Sequence, residues 1–320
     1  MEEKNFYDLI ILGAGPAGMT AGVYAARKQL DTLVITSDIG GQATWSDGIE
    51  NYLGYVYITG AELVKKFEEH LTKFDIKIEF TRVVRLVHDN GLFTVHTEDT
   101  REFTARSVIV ATGKSPRMLD VPGEKEFVGR GVTYCATCDG PLFSGQHVAV
   151  VGGGNSGLEA ALQLMKICPK VYLLELEDKL RGDEIVQNKI KGAQNVEILT
   201  RTTVTSIYGE QFVKGIFTRN LDTGETGQLD VTGVFVEIGL RPNTGFIKDL
   251  LTLNRWGEIP VDCASRTAIP GLYAAGDVTD VPEKQIIVAA GDGAKAALGA
   301  YSYLVRLPKA TSDWSALVAS

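Results

Sequence analysis

Several things are scarce in this chain, and each scarcity closes off a class of function. Only two of the four cysteines, Cys135 and Cys138, are close in sequence, while Cys168 and Cys263 stand alone. No second CxxC completes a four-ligand zinc site, and a structural disulfide framework is not expected from so few cysteines. The four histidines (His70, His88, His96, His147) fall at neither metal-ligand nor triad-like spacings. Basic residues do not dominate: 32 Lys and Arg against 40 Asp and Glu leave a net charge of −8. Nucleic acid and anionic membrane are therefore not expected partners. No apolar run is long enough to span a bilayer. Met1-Glu-Glu-Lys-Asn5 leads into Tyr7–Leu12 with neither a basic n-region nor an apolar h-region. A cytoplasmic location is expected, and that compartment keeps thiols reduced.

Glycine is abundant, at 35 of 320 residues. Seven of these glycines lie in two fingerprints, Gly13-Ala-Gly15-Pro-Ala-Gly18 and Gly152-Gly-Gly154-Asn155-Ser156-Gly157. In such a turn the first glycine bends the chain and the second admits a pyrophosphate to the backbone. The third lets helix and strand pack closely. Each copy follows an apolar strand (Tyr7–Leu12, His147–Val151) and opens a helical stretch (Pro16–Lys28, Asn155–Ile167), which is the context the motif requires. Each is followed by a second strand, Asp31–Thr36 or Lys170–Leu174, then by alternating strands, then by an apolar strand (Ser107–Ala111, Gly233–Ile238). The order repeats once, so two domains of related architecture are expected. The segment from about Lys248 is too short for a third and is expected to complete the first, making the second an insertion. Pro116, Pro122 and Arg241-Pro242 punctuate the crossings.

Glu175 follows the second strand of the second unit, about where an acid binds ribose hydroxyls. A carboxylate there favours NADH over NADPH; the alternative is a solvated strand-end glutamate. Ser37 and Asp38 occupy the comparable place in the first unit, followed by Gly40-Gly41-Gln42. Cys135-Ala-Thr-Cys138 suits a dithiol cycling through a disulfide, because two intervening residues let the sulfurs meet. Asp139 is either a proton donor to the leaving thiolate or part of an Asp-Gly-Pro turn. A dithiol close before the second fingerprint points to electrons passing from a nicotinamide, through a flavin, to a disulfide. Cys168 and Cys263 are expected to be buried small residues, and Trp314 to lie in a frayed tail.

These motifs, in this order, resemble the low-molecular-weight thioredoxin reductases over nearly the whole chain. The matching stretches are Gly13–Gly18, Gly40–Gln42, Ala111–Gly113, Cys135–Gly140, Gly152–Gly157 and Ala274–Asp277. The half after Val148 is especially similar to the flavoprotein subunit of alkyl hydroperoxide reductase. The resemblance implies an α/β fold of two Rossmann-like (three-layer β/β/α) dinucleotide-binding domains, the second inserted into the first. Residues 1–116 and 248–320 would form the FAD domain and 117–247 the NAD(P)H domain carrying the CxxC. FAD would be bound by Gly13, Gly15, Gly18, Ser37, Asp38, Gly41, Gln42, Asn51, Asp277, Gln285 and Ile286. The nicotinamide nucleotide would be bound by Gly152, Gly154, Asn155, Ser156, Gly157, Glu175 and Arg181. The resemblance also implies that Cys138 lies against the flavin, that Cys135 attacks the substrate disulfide and that Asp139 is the acid–base group. It implies a homodimer, an inserted domain that rotates between two positions, and a thioredoxin-like or glutaredoxin-like protein disulfide as substrate. One departure stands out. Relatives that use NADPH typically carry His-Arg-Arg after the second strand, whereas this chain has Glu175-Leu176-Glu177, and only Arg181 matches their later arginine. NADH is the expected donor, with NADPH second. Rival readings are a reductase or oxidase with another donor or acceptor (ferredoxin, oxygen) and a non-catalytic redox sensor.

Overall fold

The structure, a computed structural model, describes residues 5–46 and 48–307; Trp314 lies outside the described residues. The chain divides into two compact units, one of residues 1–43, 64–114 and 242–320, the other of residues 44–63 and 115–241. The first opens with β1 (Phe6–Ala14), α1 (Pro16–Arg27), β2 (Thr32–Ile39), α2 (Gly60–Leu71) and β3 (Lys77–Phe80). A meander follows, β4 (Val83–Asp89), β5 (Leu92–Thr97) and β6 (Glu102–Val110), before β7 (Lys114–Pro116) leaves the unit. The second unit contains β8 (Val132–Thr133), α3 (Ala136–Asp139), β9 (His147–Val151), α4 (Asn155–Leu164), β10 (Lys170–Leu174), α5 (Glu184–Lys191) and β11 (Val196–Leu199). It continues through β12 (Thr202–Gly209), β13 (Val213–Asn220), β14 (Thr226–Leu229) and β15 (Gly233–Val236). The chain leaves through β16 (Leu240–Pro242), which pairs with β7, and ends in β17 (Leu272–Ala274) and α6 (Ile286–Leu304).

In the first unit β3, β2, β1, β6 and β17 are parallel, while β5 and β4 extend the sheet antiparallel from β6. The nine residues of β6 serve both parts: Phe103 and Ala105 pair with β5, and Val108–Val110 pair with β17. A parallel sheet covered on both faces needs strands that are apolar through their centres, which is why Leu9–Leu12 of β1 reads as an unbroken apolar run. Leu9 and Ile11 enter the core beneath α1 and α6, and Tyr7, Ile10 and Leu12 enter the core beneath the meander with Phe93, Val95 and Phe103. Truncating Ile11, which is fully buried, would cost roughly 2–5 kcal/mol. Helix α6 lies close against α1, where a Cβ on Gly293 would come within 2.1 Å of the Ala17 carbonyl oxygen.

The second unit repeats the plan with a fully parallel sheet, β11-β10-β9-β15-β8, and a separate antiparallel sheet, β12-β13-β14. Val148, Val150 and Leu173 pack on the helical side, and Ala149, Val151, Val234 and Val236 pack on the meander side. The expected fold class is observed: two dinucleotide-binding α/β domains, with β17 returning to the first sheet after the second domain. Two local readings differ. Helix α5 has no counterpart in the sequence reading, because of its eight residues only Ile190 is buried. Cys263 is exposed in a turn rather than buried. Asp262 Oδ1 accepts the amides of Ala264 and Arg266, and Ser265 takes φ +62°, which closes the chain on itself there.

Candidate active site

In the first unit the glycine turn joins β1 to α1. Gly13 has φ +103°, and a Cβ there would lie 2.4 Å from the Ala111 carbonyl oxygen. A Cβ on Gly18 would lie 1.9 Å from the carbonyl oxygen of Gly13. These two glycines are required by the fold. Gly15 is different, since its Cβ would meet only the Gly40 oxygen, at 4.0 Å. It is the N-cap of α1, has no side-chain cap, and is followed by Pro16 at the first helical position. The end of β2 is tied to this turn: Thr36 Oγ1 accepts the Ala14 amide at 3.1 Å, and Asp38 Oδ1 accepts the Gly41 amide at 3.0 Å. Ser37 and Asp38 are exposed, and Gln42 Nε2 donates to the Lys114 carbonyl at 2.9 Å.

At the carboxyl end of β17, Asp277 sits in a short 3-10 turn after Gly276 (φ +75°). Burial raises its pKa, opposed by Lys284 and Lys114 and reinforced by Asp292. Gln285 is the N-cap of α6 without a side-chain cap, and Ile286 is the helix's first residue. By contrast α2 and α5 are capped by their own side chains. Thr59 and Glu62 exchange hydrogen bonds at the start of α2, and Asp183 Oδ1 accepts the Ile185 amide at 2.8 Å. The helices without side-chain caps thus include those whose amino ends the sequence reading assigns to cofactors. Asn51 belongs to a different unit from the first glycine turn. It is exposed in the 44–63 segment, which belongs to the second unit, where the Trp45 ring lies 6.3 Å from that of Tyr134.

The second glycine turn repeats this geometry between β9 and α4. Gly152 has φ +124°, and a Cβ on Gly157 would lie 1.7 Å from the Gly152 oxygen, whereas a Cβ on Gly154 would meet nothing within 4 Å. Gly154 is an N-cap without a side-chain cap. Glu175 is buried rather than solvated: Oε2 accepts the Gly153 amide at 2.6 Å and Oε1 accepts the Glu177 amide at 3.0 Å. Asn155 Oδ1 accepts the Asp183 amide at 2.9 Å, tying the start of α4 to the cap of α5. Ser156 and Arg181 are exposed, and the Arg181 amide donates to the Gly153 carbonyl.

Cys135 and Cys138 form a disulfide with Cα atoms 5.3 Å apart. Cys135 is the N-cap of α3, and its Sγ accepts the Cys138 amide at 3.2 Å. Both cysteines are part-exposed, whereas Asp139 is buried. Thr133 Oγ1 donates to Asp139 Oδ2 and accepts the Cys135 amide at 3.2 Å. One hydroxyl thereby fixes both the carboxyl and the backbone of the first cysteine. Behind α3, Glu237 Oε1 accepts the Ala136 amide at 3.3 Å. Burial pushes the Glu237 pKa up to about 7, with the Ala136 hydrogen bond opposing and the Glu159 charge adding to the rise. Cys168 is a different kind of thiol: it is buried, it donates to the Phe143 carbonyl, and burial pushes its pKa up to about 11. Among the described residues no group of three His, Cys, Asp or Glu is placed to hold a metal.

The sequence profile described as "Pyridine nucleotide-disulphide oxidoreductase" matches residues 7–293, which span both glycine turns and the disulfide. The chain belongs to that family. This oxidoreductase is 42% identical over 306 residues to the F subunit of alkyl hydroperoxide reductase of Staphylococcus aureus (strain MSSA476), covering 95% of this chain and 60% of the relative. It is 42% identical over 307 residues to the protein of the same name in Pseudomonas putida, covering 95% and 59%. The chain thus spans about 60% of the length of these curated relatives. Among solved structures it is similar to thioredoxin reductase from Streptococcus pyogenes MGAS5005, with TM-score 0.90 and 40% identity, covering 95% of this chain and 99% of that one. Thioredoxin reductase from Giardia duodenalis matches with TM-score 0.87 and 32% identity, covering 94% and 100%. Sequence reading of this oxidoreductase misses Thr133 and Glu237. The first carries only a weak signal, a hydroxyl residue two positions before the dithiol. The second carries none, because it is 101 residues from its partner Ala136.

Proposed function

We propose that this chain is a flavoprotein disulfide reductase that passes electrons from NADH, through FAD and the Cys135–Cys138 dithiol, to the disulfide of a thioredoxin-like or glutaredoxin-like protein. The observation that carries this reading is the part-exposed Cys135–Cys138 disulfide beside buried Asp139, in the same unit as the Gly152–Gly157 turn. The first unit suits FAD: Gly15 leaves room for a pyrophosphate, and α1 and α6 begin without side-chain caps. Gly13, Gly15, Gly18, Ser37, Asp38, Gly41, Gln42, Asp277, Gln285 and Ile286 would hold it, with Asn51 contributing from its own segment. When bound, FAD supplies a carrier that takes a hydride from the nicotinamide and yields an electron pair to a disulfide.

The second unit suits a nicotinamide nucleotide. Gly154 leaves the open approach, while Asn155, Ser156 and Gly157 begin α4. The buried Glu175 carboxylate and the exposed Glu177 and Asp178 surround the end of β10 with negative charge. The Glu175 carboxylate would repel a 2′-phosphate there; of the neighbouring cations Lys179, Arg181 and Arg201, the last is already paired with Asp222, so NADH is the better donor. In the reduced protein the Cys135 thiolate attacks the substrate disulfide, and Cys138 displaces the product from the resulting mixed disulfide. Asp139, held by Thr133, gives and takes the proton at the sulfur. The related proteins named as thioredoxin reductases and alkyl hydroperoxide reductase subunits support a protein disulfide as acceptor. A cytoplasmic homodimer is part of the proposal, and no helix of the described residues is long and apolar enough to cross a membrane.

Anaerobic reduction of the purified flavoprotein by NADH and by NADPH, followed by turnover with thioredoxin-like proteins, tests the assignment. We expect faster flavin bleaching with NADH and turnover that disappears in Cys135→Ser. A clear advantage for NADPH would reject the donor, and turnover surviving in Cys135→Ser would reject the dithiol.

A further inference from the structure

Glu237 follows β15 at the point where that strand lies between β8 and β9 in the parallel sheet of the second unit. Its carbonyl oxygen occupies the space that a Cβ on Gly152 would need, 2.4 Å away. Its carboxyl turns to the other side and accepts the amide of Ala136, the residue after Cys135. One residue therefore touches both the glycine turn and the dithiol helix. The neighbouring elements bring no described cation to its carboxyl. Helix α4 contributes the acid Glu159, the one charge acting on the carboxyl; α3 and its N-cap carry the titratable Cys135, Cys138 and Asp139, and Thr133 of β8 and Tyr134 precede them in the chain. On α3 the Ala136 carbonyl is taken by Gln163 Nε2 of α4 at 3.2 Å, so the residue that Glu237 holds is fixed at both of its backbone polar atoms.

Covalent geometry keeps Cys135 Sγ within about 4–5 Å of the Ala136 nitrogen, which puts it at most roughly 8 Å from the Glu237 carboxyl. Reducing the disulfide places negative charge on one of those sulfurs. A second unit charge at that range, in a part-buried site, displaces a titration by about one pH unit. The carboxyl is already poised near neutrality by burial, so a small change in charge nearby changes its protonation.

We infer that Glu237 is a proton-exchanging positioning residue of the Cys135–Cys138 dithiol, gaining a proton at its carboxyl as the disulfide is reduced and losing it as the disulfide reforms. This rests on the redox role proposed above for the two cysteines. In the forward step two electrons from the reduced-nicotinamide chain, or from dithiothreitol in a test, break the S–S bond. One sulfur takes a proton and becomes a thiol, the other remains a thiolate, and the second proton goes to Glu237. When the thiolate attacks a substrate disulfide and Cys138 closes the intramolecular bond, both protons leave with the reduced product or to solvent. The reduced site so carries one net negative charge rather than two, which favours reduction by the donor. A carboxylate left ionised beside the thiolate would oppose it.

The test uses the full protein reduced by dithiothreitol, so that it runs independently of NADH and flavin. In Glu237→Gln the side-chain oxygen still accepts the Ala136 amide while the titrating proton is gone. We expect the pH profile of Cys135 alkylation by iodoacetamide to sharpen to a single titration step in that variant and to move to lower pH by less than the one unit of full coupling, because in wild type the carboxyl takes up the proton as the thiolate forms. A profile superimposable on wild type would mean that Glu237 only holds the helix, and would overturn the inference. A second reading leaves Glu237 unaltered. Infrared difference spectra of wild type at pH 7.5 should gain a protonated-carboxyl C=O band on reduction, and this band should persist in Asp139→Asn. Its absence in wild type, or its loss in Asp139→Asn, also overturns the inference. A protein that passes both tests but is not reduced by NADH would instead reject the proposed function, so the two failures are distinguishable.

Discussion

Two alanine substitutions three residues apart should fail in opposite ways, and the difference tests whether the second glycine turn holds a nucleotide. In Gly157→Ala the new Cβ would lie 1.7 Å from the Gly152 oxygen and 2.7 Å from its carbonyl carbon. Both are backbone atoms with no rotamer to yield, so α4 and the turn must separate by roughly 1.5 Å, at a cost toward the upper end of the 1–3 kcal/mol typical of overpacking. For a chain of this size that lowers Tm by roughly 6–12 °C. In Gly154→Ala the Cβ meets nothing within 4 Å, and φ −82°, ψ −175° is ordinary extended backbone for alanine. Its stability should be unchanged or higher by about 0.4–1 kcal/mol. Only a bound pyrophosphate would feel the methyl group, and losing that close approach should raise KM for NADH at least tenfold, the equivalent of about 1.4 kcal/mol. Thermal melts, FAD content by absorbance and NADH-dependent reduction of a chromogenic aromatic disulfide separate the two effects. FAD content should stay at the wild-type level in Gly154→Ala. An unchanged KM in that stable variant would refute the reasoning, because the open space at Gly154 would then serve no ligand.

The first unit offers the mirror experiment: Gly15→Ala should fold normally and lose FAD, whereas Gly18→Ala, with its Cβ 1.9 Å from the Gly13 oxygen, should lose stability first; retained FAD in Gly15→Ala would count against the assignment. Thr133→Val removes the hydroxyl that orients Asp139 and accepts the Cys135 amide, so turnover with a protein disulfide should fall about tenfold while NADH-driven flavin reduction is unaffected, as stopped-flow measurement would resolve. Glu175→Ala strands the Gly153 and Glu177 amides and should cost on the order of 2–4 kcal/mol in chemical denaturation, with a smaller NADH-to-NADPH preference. Glu258 experiences burial that would raise its pKa, but hydrogen bonds from Lys114 and Asn254 overcome it and hold the pKa below the usual carboxylate range. Its stabilisation is therefore present above the unfolded pKa and lost as pH falls through the folded one; Lys114→Met should flatten the acid side of a Tm-against-pH curve, and an unaltered curve would deny the pair that role.

Much of the scaffold is legible in the sequence because the residues that define it act through short-range sterics. Gly13, Gly18, Gly152 and Gly157 are fixed by clashes with atoms a few residues away or at the end of the neighbouring strand, and β1 and β9 announce two-sided burial by having no polar residues in their centres. The dithiol is legible for the same reason, since its partners are three apart. What sequence spacing does not supply is the direction of side chains. Spacing points Glu175 at a ribose or at solvent, but a strand-end position does not determine a rotamer, and its two oxygens meet the Gly153 and Glu177 amides. Thr133 and Glu237 come to α3 on β8 and beyond β15, strands that are far apart in the chain and adjacent only through sheet pairing. Helix α5 is hidden because a helix that buries little has a weak apolar period. Cys263 misleads because its neighbours Val261 and Ala264 look strand-like, while the Asp262 side chain imposes a turn.

On the proposed function, one arrangement of strand, glycine turn and helix serves two different ligands. Their steric cores are nearly identical: the third glycine sits against the oxygen of the first at a built Cβ distance of 1.9 Å in one and 1.7 Å in the other, and the middle glycine is open in both. The difference lies at the end of the second strand. In the first unit the neutral Thr36 hydroxyl accepts the Ala14 amide and donates to the Asp38 carbonyl, which leaves the Asp38 carboxylate to hold the Gly41 turn. In the second unit the acid itself reaches back to the turn, through Glu175 to Gly153. A hydroxyl places no net charge beside the phosphate-facing turn, while a buried carboxylate places a full one there, about 2.6 Å from the turn's own backbone nitrogen. That charge is compatible with two ribose hydroxyls, which can donate to it, and not with a phosphate on the same ribose, which cannot. Selectivity for NADH would therefore be built into the atom that also braces the loop. Any variant that recruits NADPH must first find another acceptor for the Gly153 amide, and charge reversal at Glu177 or Asp178 alone should not achieve it.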